Sequence, residues 1–328
     1  MNFSKYHSTV DINNSTFLVT GGAGFIGSHL VEYLVQYQAK RIVIFDNLST
    51  GYKENISDFL SLSNVVFIEK DIRDYDAVME AVQGVDYVLH QAALGSVPRS
   101  IKDPLTSNEV NVNGFLNVLN AAKEHQVQRM VYAASSSTYG DSPTLPKVED
   151  KIGKPLSPYA VTKYVNELYA EVFSRVYNFH SIGLRYFNVF GPKQNINGPY
   201  AAVIPLFITQ ILNNVSPTIN GDGETSRDFT FVSNVVQANI KALEASIEKS
   251  EVFNCACNER ITLNQLVHEI KAYLNSDVEV VYGNERPGDV RHSQADITKA
   301  VQMLGYQPEV RFREGLLHTI DYFKNRLK

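Results

Sequence analysis

The chain has 328 residues, of which 44% are hydrophobic and 20% charged, and a formal net charge of −5 at pH 7. That is enough for one large or two medium domains with proper cores. The acidic balance argues against nucleic acid or an anionic membrane as the main partner. No run approaches the ~18 apolar residues of a membrane span, and the opening MNFSKYHSTVDINNS lacks the apolar stretch of a signal peptide. Cys255 and Cys257, in NCACN, lack the additional ligands of a zinc site and read as reduced thiols. The expectation is a soluble, cytoplasmic protein with no metal.

Taken in chain order, six short β-rich runs appear: TFLVT (16–20), RIVIF (41–45), VVFIE (65–69), VDYVLH (85–90), RMVYAA (129–134) and HSIGLRYF (180–187). Between them SHLVEYLVQY, DAVMEAVQ, SNEVNVNGFLNVLNAAKEH and VNELYAEVFSRVY carry apolar residues at helical spacing. Strands alternating with helices predict a Rossmann-like α/β fold, a doubly wound parallel sheet covered on both faces. After about residue 190 the pattern loosens into Gly/Asn-rich loops and short helices at 201–213, 233–246, 262–274 and 311–326. This predicts a smaller mixed α/β substrate domain of about 189–227 plus 257–328, set against a larger domain of 14–188 plus about 228–256. Its loops would close the crevice at the carboxyl ends of the strands, where open α/β sheets bind ligands.

The first strand runs into GGAGFIG and then a helix. Gly21, Gly24 and Gly27 have GxxGxxG spacing, and Gly22, Gly24 and Gly27 also satisfy GxGxxG. Small residues there allow a tight turn and close approach of a pyrophosphate to a helix N-terminus. Asp46, at the end of the second strand, can accept hydrogen bonds from an adenosine ribose and would repel a 2′-phosphate, which favours NAD over NADP. Asp71 and Ile72, after the third strand, stand where an adenine would lie.

In KPLSPYAVTKY (154–164), Tyr159 and Lys163 are four residues apart, on one face of a helix that Ser157 can cap and Pro158 can open. In isolation that spacing is more often an ordinary amphipathic helix with a partly buried tyrosine and a solvated lysine.

Together, TGGAGFIG, DN (46–47), DI (71–72), HQAA (90–93), NVNG (111–114), SSSTYG (135–140), SPYAVTK, LRYFNVFGP (184–192), NGDGETSRDFTFV (220–232) and RPGDVRHS (286–293) resemble the extended short-chain dehydrogenase/reductase family over nearly the whole chain. The resemblance is strongest to its UDP-hexose 4-epimerase branch, and within it to bacterial UDP-N-acetylglucosamine 4-epimerases. One departure is Gln91, where many relatives have leucine.

The resemblance implies a tightly bound NAD, regenerated at each turnover. It assigns cofactor contacts to Gly21, Gly24, Phe25, Ile26, Gly27, Asp46, Asn47, Asp71, Ile72, Gln91, Ala92, Ala93, Asn111, Tyr159 and Lys163. Tyr159 becomes the base that takes the sugar O4 proton while the C4 hydride passes to NAD⁺. The 4-keto sugar then turns over and takes the hydride back. Lys163 would hold the nicotinamide ribose and lower the phenol's pKa from its ordinary value near 10. Ser135, aligned from the end of the fifth strand, is the first candidate for the hydroxyl that shares the O4 proton, and Ser136 and Ser137 are close enough to compete. Dehydrating relatives carry an Asp-Glu pair at this place and decarboxylating ones a glutamate, so the serines favour epimerisation.

The same carry-over places Ser96 near the hexose, Asn188, Arg227 and Arg291 on the diphosphate, and Asn220 beside the uracil. Gln194, Ala202 and Val203 fall on the loop over the sugar nucleotide. Ser293 stands where epimerases restricted to non-acetylated hexoses have a tyrosine. The implied reaction is interconversion of UDP-GlcNAc and UDP-GalNAc. UDP-glucose/galactose, a UDP-GlcNAc-uronic acid, and a non-catalytic NAD-binding sensor are the competing readings. The family pairs two long helices across a homodimer, here about 103–125 and 157–177.

Overall fold

The structure is a computed structural model and describes residues 1–196, 202–285 and 291–326. Parts of two loops read from the sequence, 197–201 and 286–290, lie outside the described residues.

All six expected strands are present, as β1 Thr16–Thr20, β2 Arg41–Asp46, β3 Val65–Glu69, β4 Tyr87–His90, β5 Arg129–Ser135 and β6 Ser181–Tyr186. A seventh, β7 Glu251–Cys255, joins β6. Every pairing is parallel, in the order β7-β6-β5-β4-β1-β2-β3. The chain starts in the middle of the sheet and winds outward both ways, so the strand order reverses between β1 and β4. That reversal is the switch point at which such sheets open a crevice.

Successive residues on a strand point to opposite faces. Phe17, Val19, Ile42, Ile44, Leu89 and Val131 pack under the Phe25–Gln36 and Val232–Glu244 helices. Leu18, Val43, Phe45, Val88 and Met130 pack under Tyr75–Val82, Phe115–Glu124 and Pro158–Tyr177. Burial on both faces explains why these strands read as continuous apolar runs rather than alternating ones.

The expected helix over 107–125 is present and widens in its first half. A short helix Pro104–Asn108 passes into a wide turn at Glu109–Gly114 before Phe115–Glu124. At Gly114 a Cβ would lie 2.5 Å from the Ile72 side chain, so the backbone is drawn against the end of β3.

A separate core, including Phe190, Phe207, Phe229, Phe231, Leu266, Phe312 and Ile320, gathers the Val203–Leu212, Leu263–Leu274 and Phe312–Arg326 helices. Three small strand pairs frame it: 189–190 with 230–231, 226–227 with 261–262, and 218–220 with 281–283. Among the described residues no helix is long and apolar enough to cross a membrane.

Candidate active site

The turn after β1 is fixed by two glycines. Gly21 has φ +66°, and a Cβ there would lie 2.6 Å from the Ala92 nitrogen. A Cβ on Gly27 would fall on the Gly21 carbonyl. The turn, the helix that follows it and the end of β4 are therefore in backbone contact, which any side chain would break. Asp46 ties the next strand to this turn. Its Oδ2 accepts from Ala23 N at 2.9 Å and its Oδ1 from Leu48 N at 2.8 Å. Burial raises its pKa, and the backbone donors oppose that rise. Asn47 Nδ2 donates to Asp71 Oδ2 at 2.7 Å, and the hydrogen-bonded Arg73 guanidinium lowers Asp71 to about 2.

The Pro158–Tyr177 helix starts as its sequence dictates, with the Ser157 side chain accepting from Ala160 N at 3.2 Å. Tyr159 N donates to the buried Ser100 Oγ at 3.0 Å, which clamps the first turn of this helix to Val97–Lys102. Lys163 is 2% exposed, and its Nζ donates to Ala133 O at 2.8 Å.

The expectation that Lys163 lowers the Tyr159 pKa is not met by the protein alone. Burial pushes the phenol above its ordinary value, and only a hydrogen bond with Ser135 opposes this. The physical reason is that burial dominates both groups. It draws Lys163 itself down to about 8, and the ammonium is aimed at a backbone carbonyl.

The serine triplet divides. Ser135 ends β5 and lines the cavity with Tyr159 and Lys163. Ser137 donates to Ser135 Oγ through its N at 3.2 Å and its Oγ at 2.9 Å. Ser136 and Ser137 do not line the cavity.

That cavity, about 640 Å³, runs along the carboxyl ends of the strands. It brings together Gly21, Gly24, Phe25, Ile26, Gly27, Asp46, Asn47, Asp71, Ile72, Gln91, Ala92 and Ala93 with Ser96, Ser135, Tyr159, Lys163, Asn188, Gln194 and Ala202. Gln194 donates to Val189 O at 3.0 Å, and its buried Oε1 has no partner among the described residues, leaving an acceptor for a ligand. Ser96 caps the Val97–Lys102 helix with φ +150°.

Other expected contacts lie elsewhere. Asn111 is not a wall residue. Its amide accepts from Leu94 N at 2.7 Å and donates to Leu94 O and Thr162 Oγ1, each at 3.2 Å, so it supports the loop after β4. Val203 opens its helix beside Ala202 and does not line the cavity. Arg227, Arg291 and Ser293 are brought together but stand apart from the cavity lining. Ser226 N donates to Arg291 O and Ser293 N to Ser226 O, both at 3.0 Å. Arg291 is engaged by Asp222 at 2.6 Å. Asn220 ends a short strand whose neighbour Ile219 borders a second cavity with Asn264 and Tyr282.

Several residues were missed by sequence reasoning. Tyr186 lines the cavity, and its hydroxyl donates to Gln91 Oε1 at 3.0 Å and accepts from Asn239 at 2.8 Å. Gln91 Nε2 closes the ring onto Asn239 Oδ1 at 3.1 Å. Tyr186 stands inside LRYFNVFGP, but a strand-forming tyrosine carries no local mark of a polar role. Cys255 and Cys257 are buried thiols whose pKa values burial raises.

Residues 17–256 match the NAD dependent epimerase/dehydratase family. The chain belongs to that family. A putative UDP-glucose 4-epimerase of Methanocaldococcus jannaschii is 38% identical over 94% of this chain and 98% of its own. Among solved structures, the UDP-N-acetylglucosamine 4-epimerase of Methanobrevibacter ruminantium, in complex with UDP-N-acetylmuramic acid, is 41% identical with a TM-score of 0.91, covering 96% and 99% of the two chains. The UDP-glucose 4-epimerase of Thermotoga maritima, with UDP-glucose, is 37% identical with a TM-score of 0.90, covering 95% and 100%. As an epimerase/dehydratase family member of the extended short-chain type, the chain takes NAD as its cofactor. The side-chain-free glycine turn and the Asp46 carboxylate beside it fit that group.

Proposed function

We propose that this NAD-dependent UDP-sugar 4-epimerase works on a UDP-N-acetylhexosamine, interconverting UDP-GlcNAc and UDP-GalNAc, with Tyr159 as base, Ser135 as its hydroxyl partner and Lys163 as the neighbouring cation. The observation that carries the reaction class is the chemistry at the β5 end of the cavity. Ser135, Tyr159 and Lys163 stand there together. The only carboxylates among the described lining residues, Asp46 and Asp71, belong to the ends of β2 and β3. Between β5 and β2 lie three strand spacings, about 14 Å. Expelling water from the sugar needs an acid and a base beside it, and among the described lining residues no carboxyl group is there to serve.

The chain's own residues supply the proton chemistry. Tyr159 takes the O4 proton when it is a phenolate and returns it when the sugar is reduced again. Ser135, already hydrogen-bonded to Tyr159, lets the proton be shared with O4 rather than released. NAD, when bound, takes up and returns the C4 hydride, and its positive charge joins Lys163 in favouring the phenolate. Ser96, Asn188 and Gln194 are read as sugar-nucleotide contacts, and Arg227, Arg291 and Asn220 as groups that meet the nucleotide from the second core.

The N-acetyl preference rests on Ser293, a small residue in half-buried surroundings, and on the similarity to the UDP-N-acetylglucosamine 4-epimerase of M. ruminantium. The M. jannaschii and T. maritima relatives favour UDP-glucose as the second reading. We also infer the two-domain division stated from the sequence, and a homodimer. Val161, Leu168, Val172 and Val176 form an exposed apolar stripe along one face of the Pro158–Tyr177 helix, and Ile101 and Leu105 are exposed beside it.

The test is to assay the parent and Ser293→Tyr on UDP-GlcNAc and UDP-glucose, resolving the C4 epimers and following NADH. Epimers without NADH accumulation are expected from the parent. Ser293→Tyr is expected to abolish turnover of UDP-GlcNAc and spare UDP-glucose, because the clash exceeds the ~1–3 kcal/mol of one methylene. NADH formed in proportion to product would refute the epimerase reading. A ratio of kcat/KM values moving less than about threefold would remove Ser293 as the gate.

A further inference from the structure

Behind Lys163 lies a buried ionic cluster that the reaction scheme does not use. Glu167 is four residues beyond Lys163, one turn on along the same face of the helix. Its two oxygens accept from Arg185 Nε at 2.9 Å and Nη2 at 2.7 Å, and both side chains are at most 6% exposed. Arg185 is held in turn by Glu149 O at 2.9 Å and lies over the Tyr139 ring at 4.7 Å. A bidentate pair in this setting fixes the Glu167 carboxylate to within a rotamer.

The other ionisable groups facing this cluster are His90 on β4, which meets Lys163, Tyr132 on β5, which meets Glu167 and Arg185, and Tyr159 on the same helix. Burial keeps all three uncharged near neutrality: it draws His90 down to about 3 and pushes both phenols up. Glu167 is the carboxylate whose charge acts on Lys163, against the burial that favours the neutral amine.

We propose that Glu167, locked in place by Arg185, is a positioning residue that keeps the Lys163 ammonium charged inside the site and so sets the upper pH limit of turnover. The inference deepens the reading of Tyr159 and Lys163 given above and rests on it for the link to turnover. Its charge claim can be read without catalysis. A purely structural ion pair would hold the helix to β6 and leave the titration of Lys163 unchanged.

The experiment follows Lys163 directly, by NMR of protein labelled with [ε-¹³C]lysine, with Lys163→Met identifying its resonance. Glu167→Gln removes the charge and leaves the buried Arg185 guanidinium without its counter-charge, so it is accompanied by the double variant Glu167→Gln/Arg185→Leu. Removing both members of a buried pair is often tolerated where removing one is not. The parent midpoint is expected near pH 8. In whichever variant folds it is expected to fall by about one pH unit or more, and the alkaline limb of kcat to fall with it. A folded double variant whose Lys163 midpoint stays within about 0.3 unit of the parent overturns the proposal. So does a shifted midpoint with an unmoved kcat limb. If the parent epimerises no UDP-hexose, it is the reaction reading that fails, and the NMR midpoints still decide the charge claim.

Discussion

Replacing Tyr159 with phenylalanine removes one oxygen and leaves the ring, so it separates the chemistry of the site from its packing. The structure sets the expected cost to folding. The Tyr159 backbone N keeps its bond to Ser100 Oγ at 3.0 Å, and the Ser157 cap is untouched. What is lost is the polar interaction of the phenol with Ser135, worth no more than the ~0.5–1.5 kcal/mol of a hydrogen bond. In a chain of this length that moves the melting temperature by a few degrees at most. Loss of a general base costs about 10²–10⁴-fold in rate, or ~2.7–5.4 kcal/mol on the barrier. The expectation is a loss within this range, since Tyr159 is the group assigned to take the O4 proton. The assay resolves C4 epimers by chromatography while thermal unfolding is followed on the same preparation. Tyr159→Phe protein that melts within a few degrees of the parent and still turns over within tenfold of it would refute the assignment of the base.

The serines give a sharper contrast. Ser135→Ala is expected to lower kcat about 10–100-fold, whereas Ser136→Ala, outside the cavity lining, should stay within about twofold in the same assay. A further expectation concerns acid stability. Asp71, held at about 2 by the Arg73 guanidinium, is an acid whose pKa is lowered by folding. Its contribution is complete above its unfolded value of about 3.9 and is lost as pH falls through about 2. Arg73 is 42% exposed, and solvent screening limits the effect to about 1 kcal/mol. Thermal melts of Arg73→Gln should therefore show a deficit at pH 6 that closes between pH 4 and 2. A deficit independent of pH would place the effect in packing rather than in the ion pair.

The β-rich runs were legible because each strand is buried on both faces, so its composition is nearly all apolar. The glycine turn was legible because Gly21 and Gly27 are in backbone contact that no other residue permits. Tyr159 and Lys163 were legible from helical spacing and family resemblance. Their protonation was not, because it depends on burial and on Ala133, Glu167 and Ser135, which the fold brings in from two elements. The choice among the three serines favoured Ser135 from its place at the strand end but stayed open for a similar reason. All three are polar residues at a strand end, and only the turn at Ser136–Tyr139 decides that Ser135 alone faces the cavity. Gln91 looked like an isolated departure. In the fold it closes a ring with Tyr186 and Asn239, residues 95 and 148 positions away, a separation no local pattern encodes.

The cavity wall and the segments of the second core are built differently, and the difference suits the proposed reaction, in which a sugar must turn over beside a cofactor that stays. The cofactor side is the parallel sheet itself, where β1 and β4 pair over Phe17–Thr20 and Tyr87–His90 and the glycine turn rests on Ala92. The side carrying Arg227, Arg291 and Ser293 is made of strand pairs of two or three residues and single bridges. One carboxylate ties these segments together. Asp228, fully buried next to Arg227, accepts from Cys257 N at 3.0 Å and Ala295 N at 3.1 Å. Its position thus depends on loops distant in sequence rather than on a ladder of hydrogen bonds. Long buried ladders open only with the whole fold, whereas short pairs open locally at lower cost. On the proposed reading, a sugar nucleotide held by the jointed side would release its hexose to present the other face while the hydride carrier, resting on the sheet, kept its place.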